Sequence, residues 1–443
     1  MKIKLSEHFT YKKLLQFTMP TVVMMVFTSL YGIVDGLFVS NLVGKTAFAA
    51  VNLILPFPTI LSALGFMVGA GGSALVSKTM GEGNREKANS LFSLMVYVTA
   101  VVGTVICVIG VIFVPQVAVL LGAQGDMVEI CVLYGRIYLC ALPLFMLQYL
   151  FQSFLVAAEK PRLGLAVTVA AGVANMVLDA LFMAVFHWGV AGAALATAIS
   201  QAIGGGIPLI YFLMPNTSRL RLGKTRLDGK ALWQTCTNGS SELMSNISSN
   251  IVNILFNYQL MRLAGENGVS AYGVIMYCNF IFTSAFLGYS TGSAPIISFH
   301  YGAEQHGELK SLLKKSVCII GVLSVVLTGL AEVLALPLSR VFVGYDSELL
   351  ALTYQAFRIY SIMFLFCGFN IYGSAFFTAL NNGPVSAAIS FLRTLVFQIG
   401  CVLILPVFWE IDGIWLSVVA AELLSLLVTV FCIFRYRNRY HYL

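Results

Sequence analysis

Residues 14–40 read LLQFTMPTVVMMVFTSLYGIVDGLFVS, a run with one charge, Asp35, and one proline, Pro20. About 20 apolar residues cross the hydrocarbon core of a bilayer as a helix, so this stretch predicts a membrane span that carries a carboxylate inside it. A cleaved signal peptide does not fit. The run is too long for an h-region, contains Asp35 and lacks a small-residue cleavage site.

Eleven more runs of this kind follow, which predicts twelve spans, at 14–40, 47–77, 89–114, 127–157, 163–186, 190–214, 232–262, 268–299, 311–337, 348–379, 385–408 and 412–434. Several exceed the minimum length, so tilt or extension beyond the bilayer is expected. Composition agrees: of 443 residues 59% are hydrophobic and only 10% charged, against roughly 25% charged in a soluble domain. A β-barrel would show segments of about 10 residues alternating with period two, and the sequence has none. The expected class is an all-α integral membrane protein. Nine cysteines without a CxxC pair indicate neither a disulfide framework nor a zinc site and read as small hydrophobes.

Basic residues set the orientation. Groups around Lys2–Lys13, Lys78–Lys87, Lys160–Arg162, Arg219–Lys230, Lys310–Lys315 and Arg435–Arg439 hold 20 of the 26 basic residues, all on one side of the predicted spans. The other side has Lys45, Arg262 and Arg340. Cytoplasmic loops carry the excess of Lys and Arg, so both termini and the long central loop are expected in the cytoplasm.

The chain also repeats itself. Trp188-Gly189-Val190-Ala191-Gly192 corresponds to Trp409-Glu410-Ile411-Asp412-Gly413 at an offset of 221 residues, which also relates Gly44 to Gly265, Ser77 to Ser298, Gly81 to Gly302 and Leu195 to Leu416. With one residue of slippage, Arg136-Ile137-Tyr138 matches Arg358-Ile359-Tyr360. Six spans per half is an even number, so the two halves share one orientation and are related by a pseudo-two-fold axis along the membrane normal. That is a plan used by secondary transporters, with the substrate path between the lobes. The expected organisation is an N-lobe at 1–214, a cytoplasmic linker at 215–231 and a C-lobe at 232–443. No GxxxxGK[ST] loop is present, so energy is expected from an ion gradient or a partner.

Polar residues inside apolar runs are costly and mark function. Asp35 shares a helical stripe with Tyr31, Thr28 and Thr21, Asp179 follows Asn175 by one turn, and Thr197 offers a hydroxyl at comparable depth. These groups can serve as interhelical glue, but a neutral amide would do that without a carboxylate's burial penalty. Adding 221 to Asp35, Asn175 and Asp179 gives Phe256, Val396 and Gly400, so the set is confined to one lobe, as a specialised ion site would be. Two carboxylates in a dry site can hold one proton between them or, with the Asn175 and Thr197 oxygens, a Na⁺; both options stay open. Pro20 precedes the acid in the same span and marks a bend. In the seventh span Glu242, Asn246, Ser249, Asn250, Asn253 and Asn257 form a stripe expected to face a water-filled cavity. Glu242 reads either as the counter-charge of a cationic substrate or as a solvated residue near the helix start, whereas Glu332 and Glu422 read as paired or snorkelling. Tyr31, Thr28, Met176, Glu242, Asn246, Asn250 and Asn253 are the candidate substrate residues, Met and aromatics giving an adaptable apolar surface. The five His residues lie at surfaces or helix ends and receive no role.

Twelve spans in two parallel lobes, Pro20 and Asp35 in the first, Asn175-x-x-x-Asp179 in the fifth, Thr197 in the sixth and Gly81-x-Gly83 after the second resemble the multidrug and toxic compound extrusion (MATE) family. The likeness runs from about Phe9 to Phe434 and is nearest to a bacterial multidrug-efflux branch with its cation site in the N-lobe. It implies export of small amphipathic, often cationic drugs in exchange for H⁺ or Na⁺, a coupling role for Asp35, Asn175, Asp179 and Thr197 with Na⁺ possible at the two acids, and bending of the first span at Pro20. It implies a monomer in the lipid bilayer that is no enzyme, carries no cofactor and binds no nucleic acid. The alternative reading, a lipid-linked oligosaccharide flippase of a related branch, calls for a basic cavity.

Overall fold

The computed structural model describes residues 3–443, apart from the side chains of Ser40 and Lys45. Lys2, counted above with the first basic group, lies outside the described residues, as does the Lys45 side chain. Among the described residues every regular element is a helix.

The first lobe contains α1 (Tyr11–Leu42), α2 (Lys45–Ile54 and Pro56–Gly81), α3 (Arg85–Leu120), α4 (Asp126–Cys140 and Leu142–Ala157), α5 (Pro161–Asp179 with Ala180–Val185) and α6 (Gly189–Leu213). A continuous segment, Gly229–Gly302, comes next. At 1.5 Å per residue it would be about 110 Å long, far more than one crossing. Gly265 breaks it at φ 61°, ψ −147°, giving α7 (229–264) and α8 (266–302). The second lobe continues with α9 (His306–Val343), α10 (Ser347–Ser361 and Phe364–Ala379), α11 (Gly383–Ile404) and α12 (Pro406–Tyr440). The expected twelve spans are therefore present with altered ends. The second begins at 45 and runs to 81, the twelfth extends to 440, and the seventh and eighth join at one glycine with no loop between them. The seventh starts at 229, where Asp228 Oδ1 accepts from the N–H groups of Lys230 and Ala231, a charge-assisted cap.

Turn conformations repeat with the sequence. Gly44 and Gly265, Gly83 and Glu304, and Gly189 and Glu410 all have positive φ at a spacing of 221, and Glu159 and Asn381 at 222. Positive φ is costly for residues other than Gly, so non-glycine residues hold these turns only where the packing of both adjoining helices fixes them. Outward faces repeat too: Val101 on α3 is 63% exposed and Val322 on α9 is 61% exposed, an apolar belt suited to lipid.

The two lobes touch mainly at the end that carries both termini. There α2 presses against α7 and α8 through glycines. A Cβ on Gly71 would lie 2.7 Å from Gly239 N, one on Gly81 2.9 Å from Ala303 N, and one on Gly302 3.0 Å from Lys78 Cα. Gly292 of α8 packs on Thr18 of α1, with Thr18 Cα 3.2 Å from the site of a Cβ. Side chains other than hydrogen would hold these backbones apart, which is the use of small residues between membrane helices. Toward the other end Gly32 and Gly36 on α1 and Gly273 on α8 have no such neighbour within 4 Å. The molecule is closed at the terminal-bearing end and opens away from it.

Residues 214–228 between the lobes are non-helical, yet they are tied down along α3. Asn89 Oδ1 accepts from Arg221 N (3.0 Å), Ser93 Oγ accepts from Gly223 N (3.0 Å), and Leu220 is fully buried.

Candidate functional site

α1 and α5 bring the two acids together. α5 packs on α1 because Gly172 leaves room for two rings: a Cβ there would be 2.6 Å from Phe27 Cε1 and 2.8 Å from Tyr31 Cδ1. One turn beyond Tyr31, the Asp35 carboxyl comes within interaction range of the Asp179 carboxyl. Asp179 is completely buried, and the hydrogen-bonding partner its carboxyl meets is the carboxyl of Asp35, with no amide, hydroxyl or basic side chain donating to either Asp179 oxygen. Asn175, one turn before Asp179 and 2% exposed, has an unpartnered Nδ2. Buried polar groups are nearly always satisfied, and here two carboxyls and an amide are held together with few donors among them.

Backbone geometry marks the same place. Directly after Asp179 the helix widens into a π turn, Ala180–Val185; such turns are rare and collect at functional positions. Pro20 lies fifteen residues before Asp35, about four helical turns, and α1 passes through it as one helix from Tyr11 to Leu42. Thr197 Oγ donates to Ala193 O at 3.1 Å, so its proton is used within its own helix while its lone pairs stay available. Thr28 bonds back in the same way to Met24 O (2.9 Å).

Four residues around the acids were not singled out in the sequence. Tyr134 lies within electrostatic range of both acids and Tyr138, like Tyr31, within range of Asp35; Gln148 reaches Tyr31, and Gln201 reaches Tyr138. Gln148 and Gln201 are 3% and 4% exposed. An amide in the middle of an apolar run was the available signal; the two tyrosines resemble ordinary packing residues and gave none.

Between the lobes, immediately inside the glycine contacts, is a small pocket of about 30 Å³, room for about one or two water molecules. Ser73 and Ser153 come from the first lobe; Glu242, Ser290, Thr291 and Thr378 from the second, among apolar neighbours. Of the sequence-derived substrate set, Glu242 lines this cavity and so is not at a solvated helix start. Tyr31, Thr28, Met176, Asn246, Asn250 and Asn253 lie outside its lining. The α7 stripe is largely self-satisfied: Asn246 Nδ2 donates to Glu242 O (2.8 Å), Asn250 Nδ2 to Asn246 O (2.9 Å), and Asn253 Oδ1 accepts from Tyr272 (2.6 Å).

The other interior acids are paired. Glu332 binds Arg358 (2.9 Å) and Glu422, 1% exposed, binds Arg393 (2.9 Å). His300 sits at a helix end, as expected, and is 1% exposed because the N-terminal segment folds over it, with its Nδ1 2.6 Å from Gln305 Oε1.

Comparison with known proteins gives a consistent result. The MatE family model matches residues 20–181 and 243–403, one match in each lobe. The multidrug export protein MepA of Staphylococcus haemolyticus is 24% identical over 97% of this chain and 94% of its own. MepA of Staphylococcus aureus strain MRSA252 is 23% identical over the same shares. A solved structure described as the outward-facing conformation of a multidrug resistance MATE family transporter superposes with a TM-score of 0.92 at 20% identity, covering 97% of both chains.

Proposed function

The chain belongs to the MatE family, and on that premise we propose that it is a secondary active multidrug antiporter, exporting small amphipathic, often cationic molecules in exchange for inward H⁺ or Na⁺. It is a transporter, not an enzyme, and a multi-pass protein of a bacterial membrane. The relatives bearing the name multidrug export protein support the substrate class. The single observation that carries the coupling is the buried Asp35–Asp179 pair, which has no internal cation to neutralise it.

The coupling set is Asp35 and Asp179 with Asn175 and the Thr197 oxygen, and α1 bends at Pro20 as the set loads and unloads. Substrate occupies the space that opens between the lobes, with this pocket as its floor, where Glu242 supplies a counter-charge and the Ser and Thr hydroxyls supply adaptable hydrogen bonds; Tyr31, Thr28, Met176, Asn246, Asn250 and Asn253 line the route away from it. The lobes, 1–214 and 232–443, rock about the linker at 215–231 so that one end opens as the other closes. The excess of basic residues supports a cytoplasmic side for the termini and the closed end, and on that reading the form described above faces outward. By linkage, a cation that favours one state and a substrate that favours the other weaken each other's binding equally. A monomer suffices, because both sites form within one chain.

The deciding experiment is ethidium-type dye efflux from vesicles with H⁺ and Na⁺ gradients imposed separately. Export driven by one of them and lost in Asp35→Asn is expected. Export unaffected by Asp35→Asn removes the coupling assignment, and export driven by neither gradient removes antiport.

A further inference from the structure

The two lobes place polar clusters at equivalent positions but fill them differently. Glu422 stands 221 residues after Gln201 and Asn370 stands 222 after Gln148, the two offsets found for the turns on either side of the fifth helix of each lobe. In the second lobe Glu422 and Asn370, 1% and 0% exposed, bond directly: Asn370 Nδ2 donates to Glu422 Oε2 at 2.7 Å and to its backbone oxygen at 2.8 Å. Thr429 Oγ donates to Asn370 Oδ1 at 3.0 Å and fixes which way the amide points.

Arg393 completes this cluster. Its Nε lies 2.9 Å and 3.0 Å from the two Glu422 oxygens, and its side chain is 16% exposed. It belongs to the π turn of α11, Leu392–Phe397, as Asp179 adjoins the π turn of α5. The equivalent residues in the first lobe are Ala171 and Gly172; there the space is taken by the Tyr31 ring, and the acids of that lobe have no internal cation. Other groups facing Glu422 and Arg393 are Tyr360 and Cys367 from α10 and Glu242 from α7.

We propose that Arg393 is a tethered cation that permanently fills a site formed by Glu422 and Asn370, so that the second lobe holds a latent site for a free monovalent cation and coupling is confined to the first. The chemistry is that of a carboxylate with an amide beside it, which binds a guanidinium, a proton or a Na⁺ in the same place. Glu242 is then the one acid of this cluster without a full partner, free to meet substrate in the central cavity. The proposal rests on the reading of Asp35 and Asp179 as the coupling pair, and its test separates the two.

The experiment is thermal unfolding of the purified protein against Na⁺, with choline as the replacement ion, and separately against pH. Asp35→Asn/Asp179→Asn should lose the wild-type cation response; adding Arg393→Gln should restore a rise of a few degrees with Na⁺ or with protons; adding Glu422→Gln should remove it again. Arg393→Lys should create no response, because the tethered charge remains. A folded Arg393→Gln triple variant with no response to either cation overturns the proposal. So does a response of the double acid variant that Glu422→Gln alone abolishes, because the second-lobe site would then be open in the presence of Arg393. A double acid variant that keeps its response irrespective of Glu422 overturns the coupling reading, and the increment gained with Arg393→Gln still decides this proposal. If Arg393→Gln and Arg393→Met both fail to fold at every Na⁺ concentration and pH, a free cation does not replace the guanidinium and the proposal fails.

Discussion

Gly81 and Gly302, 221 residues apart, make one contact twice: Gly81 rests on the Phe299 carbonyl and Gly302 on the Lys78 carbonyl, and Lys78 and Phe299 are themselves 221 apart. The pseudo-two-fold axis therefore passes through the closed end, between α2 and α8. Gly71 against Gly239 and Gly292 against Thr18 repeat the arrangement further in. Closure at this end depends on backbones meeting without side chains.

Gly81→Val or Gly302→Val should consequently open that end. Overpacking costs about 1–3 kcal/mol, and a bias of that size shifts a two-state equilibrium by roughly 5–150-fold. A cysteine at Ser73, in a background without the native cysteines, reports the change through its labelling rate by a polar thiol reagent applied from the terminal-bearing side. An unchanged rate in both variants would show that the glycine contacts do not hold the end closed.

A strap reinforces the same closure. Leu5 N donates to Glu159 Oε1 at 2.8 Å, and Arg219 binds that carboxylate at 3.1 Å; Phe9 N donates to Glu308 Oε1 at 3.0 Å, and His8 Nδ1 lies 2.7 Å from Glu308 Oε2. Leu5 and Phe9 are fully buried. One end of the strap is thus held by the first lobe and the other by α9 of the second. Glu308→Ala removes two charge-assisted contacts to the strap and should cost about 1–3 kcal/mol. Faster cleavage near residues 3–10 in limited proteolysis, together with faster labelling at Ser73, is the expected result. Resistance equal to wild type would mean that burial of Leu5 and Phe9 alone secures the segment.

Spans, repeat and acids were legible in the sequence because each rests on local rules: apolar length, a fixed offset, a charge where hydrocarbon is expected. The joint at Gly265 was not, since a polar stretch between two spans reads as a loop whether or not the helix continues through it. The Ser and Thr lining of the cavity was missed for a different reason. Ser73, Ser153, Ser290 and Thr378 are cheap residues in membrane helices, and only the packing of five helices converts them into a lining. The Arg393–Glu422 pair lay in between. Both charges were visible, but Arg393 fell within a proposed span and its partner sits on the next helix, 29 residues on, where spacing says nothing about contact.

Gly172 links packing to the acids. Its hydrogen is what allows Phe27 and Tyr31 to lie on α5, one turn before Asp35. Gly172→Val should force the rings off α5 at about 1–3 kcal/mol and separate Asp35 from Asp179. Dye export should fall at least tenfold while the protein remains folded by circular dichroism and gel filtration. Normal export would show that the pair tolerates displacement of α1 and would weaken its role as a unit.

Asp179 offers the sharpest contrast between stability and function. A structural carboxylate would be surrounded by donors; this one is completely buried with only the Asp35 carboxyl as a hydrogen-bonding partner, and leaving a buried polar group poorly met costs about 1–3 kcal/mol. Asp179→Asn keeps the shape and removes the charge, so it should raise the unfolding midpoint by a few degrees and abolish gradient-driven export together, the exchange expected of a strained functional group. Asp35→Asn should stabilise less, because Asp35 is only partly buried. A folded Asp179→Asn variant that melts below wild type would mean that the carboxylate is held in place by donors after all, and would return the pair to the role of interhelical glue.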